Sequence, residues 1–194
     1  MAQFDSDNNG VVLSLPSLST TRTKSTVTGT VTFGISTQAN NTPSASTLAL
    51  VNDVATGTFN AQVGGVWAPA YIDSGTEAIF FNDKANPSLK VCKVESDYYC
   101  PATPQSVLFY MADTGVNQPK GSASYMVANT DGKDDYYDDG IVAFTDVGGP
   151  ITAAATAGGD IGFGLTTHFG HKMYTLFNGK TAAGLGTGPV NGIE

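Results

Sequence analysis

An alternation of threonine with apolar or small residues between Ser25 and Ile35 is the feature that most restricts the fold of this chain. Successive side chains of a β-strand point to opposite faces of a sheet, so a period of two indicates a strand rather than an amphipathic helix. Threonine, valine and phenylalanine also favour extended backbone. Short apolar runs between turn-forming residues predict further strands at residues 11–15, 47–51, 58–63, 66–68, 122–128, 141–144 and 173–177. The sequence therefore predicts an all-β fold.

We expect at most short helices. Residues 101–110 offer one, because Pro104 is acceptable near a helix start. No linker or internal repeat divides the 194 residues, so we expect a single β domain over residues 1–194. Its Gly-rich tail, about residues 181–194, is predicted to lie over the surface.

The charge balance argues against nucleic acid as a partner. The chain has 17 acidic and 9 basic residues, a net charge of −8, and no Lys/Arg cluster that could neutralise phosphates. Charged residues make up only 13% of the chain, against about 25% in typical globular domains. The polar surface must then consist of Thr, Ser, Asn and Gly, as in many extracellular β-proteins. No apolar run has the roughly 18 residues of a membrane span, so we expect no transmembrane segment.

Two closely spaced cysteines, Cys92 and Cys100, predict a local disulfide and an oxidising compartment. A reduced pair is the alternative, and a zinc site has no second cysteine pair to complete it. Residues 1–5 lack the basic and apolar regions of a signal peptide. The cysteine pair leads us to expect an exported protein, periplasmic, cell-surface or extracellular. Because no signal peptide is present, we expect its chain to be a mature or excised fragment behind an added Met1.

Asp73, Ser74 and Gly75 form the motif with the clearest chemical meaning, because an apolar strand, residues 70–72, leads directly into them. An aspartic peptidase presents each catalytic carboxylate at such a strand-to-turn tip, with a small hydroxyl residue anchoring the loop and glycine allowing two loops to approach. Two such carboxylates share one proton, so that one acts as acid while the other activates water. Asp-Ser-Gly is also an ordinary turn tripeptide. A second tripeptide, at residues 113–115, is interpreted as a plain turn.

An acidic segment concentrates five carboxylates within nine residues: Asp131, Asp134, Asp135, Asp138 and Asp139. These carboxylates repel one another unless they are solvated or bridged by a cation. We therefore hypothesise that the segment binds calcium as a cofactor, and a solvated loop is the alternative. Residues 5–10 resemble the opening of a calcium loop, but Pro16 stands where a bidentate Glu is needed, and a hairpin turn is the better interpretation.

His168 and His171 are three residues apart in a Gly-rich stretch. A Ser–His–Asp triad would require a nucleophile elbow, and the chain has no Gly-x-Ser-x-Gly. We predict that both histidines lie at the surface or cap strands.

Several landmarks in order resemble a known family, namely residues 4–16, 28–41, 71–75, 98–101, 162–165 and 169–174. This series is similar to the C-terminal half of a bacterial exported family catalogued as domain of unknown function DUF3443, which itself resembles two-lobed pepsin-like aspartic peptidases. The resemblance covers nearly the whole chain. It implies one lobe of an acid-protease β-barrel, with Asp73 as the second-lobe carboxylate.

The resemblance also implies roles for other residues. Phe163 and Gly164 would fill the apolar-apolar-Gly position whose strand crosses behind the Asp73 loop, and Cys92 and Cys100 would form a second-lobe disulfide. The chain departs from the pattern in lacking a first lobe with its aspartate, in residues 165–169, which are more polar than the usual apolar-aromatic run, and in Glu77 beside the loop.

Three functions follow as hypotheses. The first is an aspartic-peptidase-like domain, inactive as a single chain because its second aspartate must come from an N-terminal lobe or from a second copy, as a twofold axis allows. The second is a noncatalytic extracellular or periplasmic β-domain with a structural, adhesive or fibre-forming role, which binds a protein or peptide. The third is a calcium-stabilised binding module.

Overall fold

The fold was obtained as a computed structural model, which describes residues 4–130, 140–151 and 160–194. Sixteen strands occur in these residues: β1 Gly10–Ser14, β2 Arg22–Thr23, β3 Thr30–Phe33, β4 Leu48–Val51, β5 Phe59–Val63, β6 Val66–Ile72, β7 Ile79–Phe80, β8 Gln105–Ala112, β9 Gly121–Val127, β10 Ala143–Phe144, β11 Gly148–Gly149, β12 Ile161–Phe163, β13 Lys172–Leu176, β14 Thr181–Ala182, β15 Gly186–Thr187 and β16 Val190–Ile193. The helices in the same residues are two short 3₁₀ turns, Ala39–Asn41 and Leu165–Thr167. The predicted all-β fold is confirmed.

The larger of two main sheets has the order β11-β7-β12-β6-β5-β8-β9 and is nearly closed into a barrel. Strands β6, β5, β8 and β9 pair antiparallel. Strand β12 inserts between β6 and β7, parallel to β6 and antiparallel to β7. Strands β6 and β7 are consecutive in the chain, but in the sheet they are separated by β12, which comes much later in the sequence.

The smaller main sheet has the order β3-β1-β13-β16-β4, and all its neighbours pair antiparallel. Its fourth strand corrects the expectation for the tail, because Val190–Ile193 lies inside the sheet rather than over the surface. Gly192 explains the error, since a Cβ there would stand 3.0 Å from the Leu185 side chain and 3.1 Å from that of Tyr174. Glycine lowers the strand signal in the sequence while permitting this close approach.

The predicted short helix at residues 101–110 is wrong, because β8 extends through Gln105–Ala112. Val107, Phe109 and Met111 are buried, while Leu108 and Tyr110 between them are exposed. Burial therefore alternates with a period of two along β8. The sequence does not show this alternation, because the residues on the exposed face are apolar as well.

An aromatic cluster fills the barrel core. Phe163 of β12 contacts the rings of Phe59, Phe109 and Tyr125 at centroid separations of 5.9, 5.3 and 5.9 Å. Phe109 also meets Phe81 edge to face at 5.1 Å. Since Phe163 is 1% exposed, the inserted strand is anchored by burial as well as by hydrogen bonds.

The predicted disulfide between Cys92 and Cys100 is present. It closes the loop that ends just before β8, and Thr130 packs its hydroxyl against the Cys92 sulfur at 3.2 Å. Within the described ranges, no helix has the length and apolar character needed to cross a membrane.

Glu194, which follows β16, gives the fold a pH dependence. Burial raises the pKa of this carboxyl, but hydrogen bonds from the Ser44 amide, the Tyr174 and Thr47 hydroxyls and the Lys172 ammonium together lower it to about 2. A carboxyl whose pKa falls on folding stabilises the protein above its unfolded pKa, near 4.5, and loses that contribution as the pH falls towards 2.

We expect Glu194→Gln to cost about 2 kcal/mol at pH 7, a value reduced from the full pKa difference because solvent screens this partly exposed group. The variant should also flatten the loss of stability between pH 4.5 and 2, since the amide does not titrate. Urea unfolding across this range measures both effects. Equal pH slopes in the two proteins would contradict the assignment.

Candidate functional site

The Asp73 loop joins β6 to β7. The Asp73 carboxylate accepts a hydrogen bond from the Gly75 amide at Oδ1, 2.8 Å, and one from the Thr76 hydroxyl at Oδ2, 2.6 Å. The Thr76 amide donates to the Asp73 carbonyl at 3.3 Å. Both oxygens of the side chain are therefore oriented by the loop itself before any partner arrives.

The predicted site residues Asp73, Ser74 and Gly75 lie together in this turn, but their roles differ from the expectation. The hydroxyl that anchors the carboxylate belongs to Thr76, whereas Ser74 is exposed. Asp73 is half-buried and Gly75 exposed. Among the described residues, and apart from its chain neighbours, a Cβ built on Gly75 would have only Asp73 Oδ1 within 4 Å.

Strand β12 supports the loop from behind. The Asp73 amide donates to the Phe163 carbonyl at 3.0 Å, and the Leu165 amide donates to the Thr76 carbonyl at 2.5 Å. Gly164 lies between these two bonds, where a Cβ would stand 2.6 Å from the Thr76 carbonyl oxygen and closer still to that of Ala78. Only glycine permits the two segments to approach this closely. The strand expected to cross behind the loop, with Phe163 and Gly164, is found paired between β6 and β7 in the sheet.

His168 corrects the prediction of a surface histidine, because it is 1% exposed. It follows the 3₁₀ turn Leu165–Thr167, and its Nδ1 lies 2.9 Å from the Gly164 carbonyl oxygen. Burial lowers the pKa of the imidazole, while the Gly164 hydrogen bond and the charge of Asp73 act in the opposite direction. No sequence pattern indicates this burial, since the flanking Thr167 and Phe169 are typical of either environment.

His171 fits the strand-capping interpretation. It is half-buried, and its Nδ1 lies 3.3 Å from the carbonyl oxygen of Glu194, immediately after β16.

Tyr71 is a neighbour of the site that the sequence analysis did not single out. It lies in β6, two residues before Asp73. Burial raises the pKa of its hydroxyl, and the charges of Asp73 and Asp160 raise it further. The phenol therefore stays protonated beside the loop, where it can donate a hydrogen bond.

A cleft of about 330 Å³ adjoins the loop on the side of Glu77. Its lining is mainly apolar and includes Ile141, Phe144, Leu165 and Phe169. The Thr166 amide, on one wall, donates to the Glu77 carbonyl at 3.0 Å. The site therefore combines an oriented carboxylate with an apolar recess next to it.

Asp113 does not complete a pair with Asp73. Its Oδ1 accepts the Val51 amide at 2.8 Å and the Lys120 ammonium at 2.9 Å, and the Thr114 amide donates to the Val51 carbonyl. The tripeptide therefore binds the turn after β8 to the edge strand β4. This structural role agrees with its interpretation as a plain turn.

The predicted calcium ligands, Asp131, Asp134, Asp135, Asp138 and Asp139, lie outside the described residues, and the calcium site stays a prediction. In residues 4–130, 140–151 and 160–194, no cluster of three or more His, Cys, Asp or Glu side chains could hold a metal ion.

Comparison with known proteins identifies a family of unknown function. A family model described as Protein of unknown function (DUF3443) matches residues 1–192. No curated protein matches the chain.

Proposed function

Because the chain belongs to the DUF3443 family, whose function is unknown, we propose from its own residues that it is an aspartic-peptidase-like domain of an exported protein. Asp73 supplies one of the two carboxylates that peptide hydrolysis needs, and the single chain is inactive by itself. The observation that carries the proposal is the geometry of the Asp73 loop. Its carboxylate is fixed by Gly75 and Thr76, lies at an open tip, and is supported by an inserted strand.

The chemistry follows from bringing a second carboxylate beside Asp73. Two carboxylates about 3 Å apart share one proton, because both cannot be ionised at that distance. The ionised member takes a proton from water as the water oxygen attacks the peptide carbonyl carbon, and the protonated member donates to the carbonyl oxygen. The titration then belongs to the pair rather than to either residue.

A second copy of the chain is the partner that this surface favours. The tip of the loop, Ser74 and Gly75, is exposed, and among the described residues other than the chain neighbours of Gly75 only Asp73 Oδ1 lies within 4 Å of a Cβ built there. A twofold axis at this point would bring two Asp73 residues together. A preceding lobe in a longer chain would meet the same surface and supply the same chemistry.

Export is proposed on two observations. The Cys92–Cys100 disulfide is of the kind that persists in oxidising compartments. The low share of charged residues, as in many extracellular β-proteins, also agrees with export.

The test is cleavage of an unfolded protein substrate between about pH 3 and 6, where paired carboxylates share a proton, over a range of chain concentrations. We expect activity that rises with concentration and falls at least about 100-fold in Asp73→Asn. Asp113→Asn is the matched control, because it alters the other Asp-Thr/Ser-Gly tripeptide and should retain cleavage. Absence of cleavage by the wild-type chain at every concentration would overturn catalysis by two copies of this chain.

A noncatalytic, fibre-forming role is the second candidate, favoured by one edge of the smaller sheet. Strand β3 leaves Val31 60% and Phe33 46% exposed, with no strand beyond it in the described residues. The opposite edge, β4, is covered by Asp113 and Lys120. An open apolar edge is suited to pairing with another chain. Concentration-dependent assembly without cleavage would favour this role.

A further inference from the structure

A cleft beside the Cys92–Cys100 disulfide has a charge opposite to that of the chain as a whole. Its volume is about 570 Å³, and the described residues that line it include Lys90 and Lys93 but no aspartate or glutamate. Glu95 and Asp97 lie in the same loop, but neither lines this lysine cleft. Because the chain has 17 acidic and 9 basic residues, the lysine cleft is a local site of positive charge on an acidic protein.

Neither ammonium group of the lysine cleft is neutralised by a carboxylate of the described residues. The ion pairs found there belong to Arg22, Lys120 and Lys172. Lys90 and Lys93 are both exposed. Two cations are too few to neutralise the backbone of a nucleic acid. The lysine cleft is therefore suited to a ligand with a small number of anionic groups.

The backbone that carries the two lysines is held in place. The Lys90 carbonyl accepts the Cys100 amide at 2.6 Å, and the Lys90 amide donates to the Ser88 carbonyl at 3.0 Å. The Cys92 amide donates to the Tyr98 carbonyl at 2.9 Å, and the disulfide joins Cys92 to Cys100. The chain around the lysines is thus ordered before a ligand arrives, which lowers the cost of binding. The backbone groups of Lys90 and the Cys92 amide are also not available to pair with a peptide strand.

The rest of the lysine cleft offers neutral polar groups. Ser88 and Thr103 contribute hydroxyl groups to residues of its lining, and Gln105 contributes an amide. Gln105 Nε2 donates to the Thr103 carbonyl at 2.9 Å, which fixes this side chain at the start of β8. Hydroxyl and amide groups both donate and accept hydrogen bonds, as the hydroxyl groups of a sugar do. The volume lies in the usual range of small-molecule sites, about 300–1,000 Å³.

We propose that the lysine cleft binds an acidic carbohydrate, whose carboxylates pair with Lys90 and Lys93. The sugar hydroxyls bond to Ser88, Thr103 and Gln105. The neutral polar groups favour a sugar over a bare phosphate, and the bonded backbone disfavours an extended acidic peptide. The site goes beyond the proposed function, because it involves neither Asp73 nor cleavage.

The experiment is a titration of the isotope-labelled, disulfide-intact chain with trigalacturonate, followed through the NMR signals of the backbone amides. We expect the largest shifts at residues 87–93 and 102–105, which carry the walls of the lysine cleft. Added salt should weaken binding, because it screens the attraction between exposed charges. Galactotriose, which lacks the carboxylates, should bind at least about tenfold more weakly.

A double variant tests the two lysines directly. Lys90→Gln with Lys93→Gln should weaken the binding of trigalacturonate about tenfold, because two exposed ion pairs are lost. Lys24→Gln with Lys180→Gln is the matched control. It removes two exposed lysines that do not line the lysine cleft, so the two double variants have the same net charge. The control should bind like the wild type.

Four results would overturn the proposal. They are equal weakening in the two double variants, largest shifts outside the lysine cleft, no shift at any concentration of trigalacturonate, and binding of triglutamate or inorganic phosphate as tight as that of trigalacturonate. The last result would assign the lysine cleft to acidic peptides or to phosphate. Because no cleavage enters the measurement, this proposal and the proposed function can fail separately.

Discussion

Gly164→Ala should lower the free energy of unfolding by about 3 kcal/mol, the upper part of the usual range for overpacking. The added Cβ would overlap the Ala78 carbonyl oxygen and lie 2.6 Å from that of Thr76. Both obstacles are backbone atoms, so no side-chain rotation can relieve them. Urea unfolding measures the change, and the Asp73 loop should lose its hydrogen bond from the Leu165 amide.

Gly162→Ala is the control for this prediction. The residue lies two positions earlier, within β12, but a Cβ there would meet the Tyr71 side chain at 3.1 Å. A side-chain end can move where a backbone carbonyl cannot, so we expect a smaller loss. Equal losses in the two variants would show that the close approach at Gly164 has no special importance.

Phe163→Ala should cost about 3–5 kcal/mol, the range for removing a buried phenylalanine. The ring is 1% exposed and contacts three other aromatic rings, so the cavity would lie in the middle of the barrel core. The inserted strand β12 would lose its anchor, and hydrogen exchange at the Asp73 amide, which is bonded to the Phe163 carbonyl, should accelerate.

Phe33→Ala serves as the comparison, because it removes the same ring from an edge strand where it is 46% exposed. It should cost less than half as much and leave the Asp73 amide unaffected. A loss as large as that of Phe163→Ala would contradict the assignment of the core.

Local patterns were sufficient to predict much of the fold. The alternation near Ser25–Ile35 predicted strand β3, although only Thr30–Phe33 is paired. Cysteine spacing predicted the disulfide, and turn chemistry separated Asp113 from Asp73. These features depend on residues that are close together in the sequence, so they can be predicted without the structure.

Long-range contacts account for what was missed. His168 is brought within the electrostatic influence of Asp73, which lies far earlier in the chain. Thr76 rather than Ser74 binds the carboxylate because of how the turn closes. The strand Val190–Ile193 contains a glycine that packing requires. No local pattern encodes such contacts, so they become visible only when the sheets are assembled.

The most direct test of the central claim mixes two chains. Wild-type chain is held at a fixed concentration at which its cleavage rate per chain no longer rises, it is co-refolded with increasing Asp73→Asn chain, and the cleavage rate per wild-type chain is measured near pH 4. If each site takes one Asp73 from each of two copies, an equal amount of the variant should remove about half of that rate, because half of the wild-type chains then pair with an inactive partner. Adding Asp113→Asn chain instead should not lower it. A rate per wild-type chain that ignores the Asp73→Asn chain would contradict the shared site.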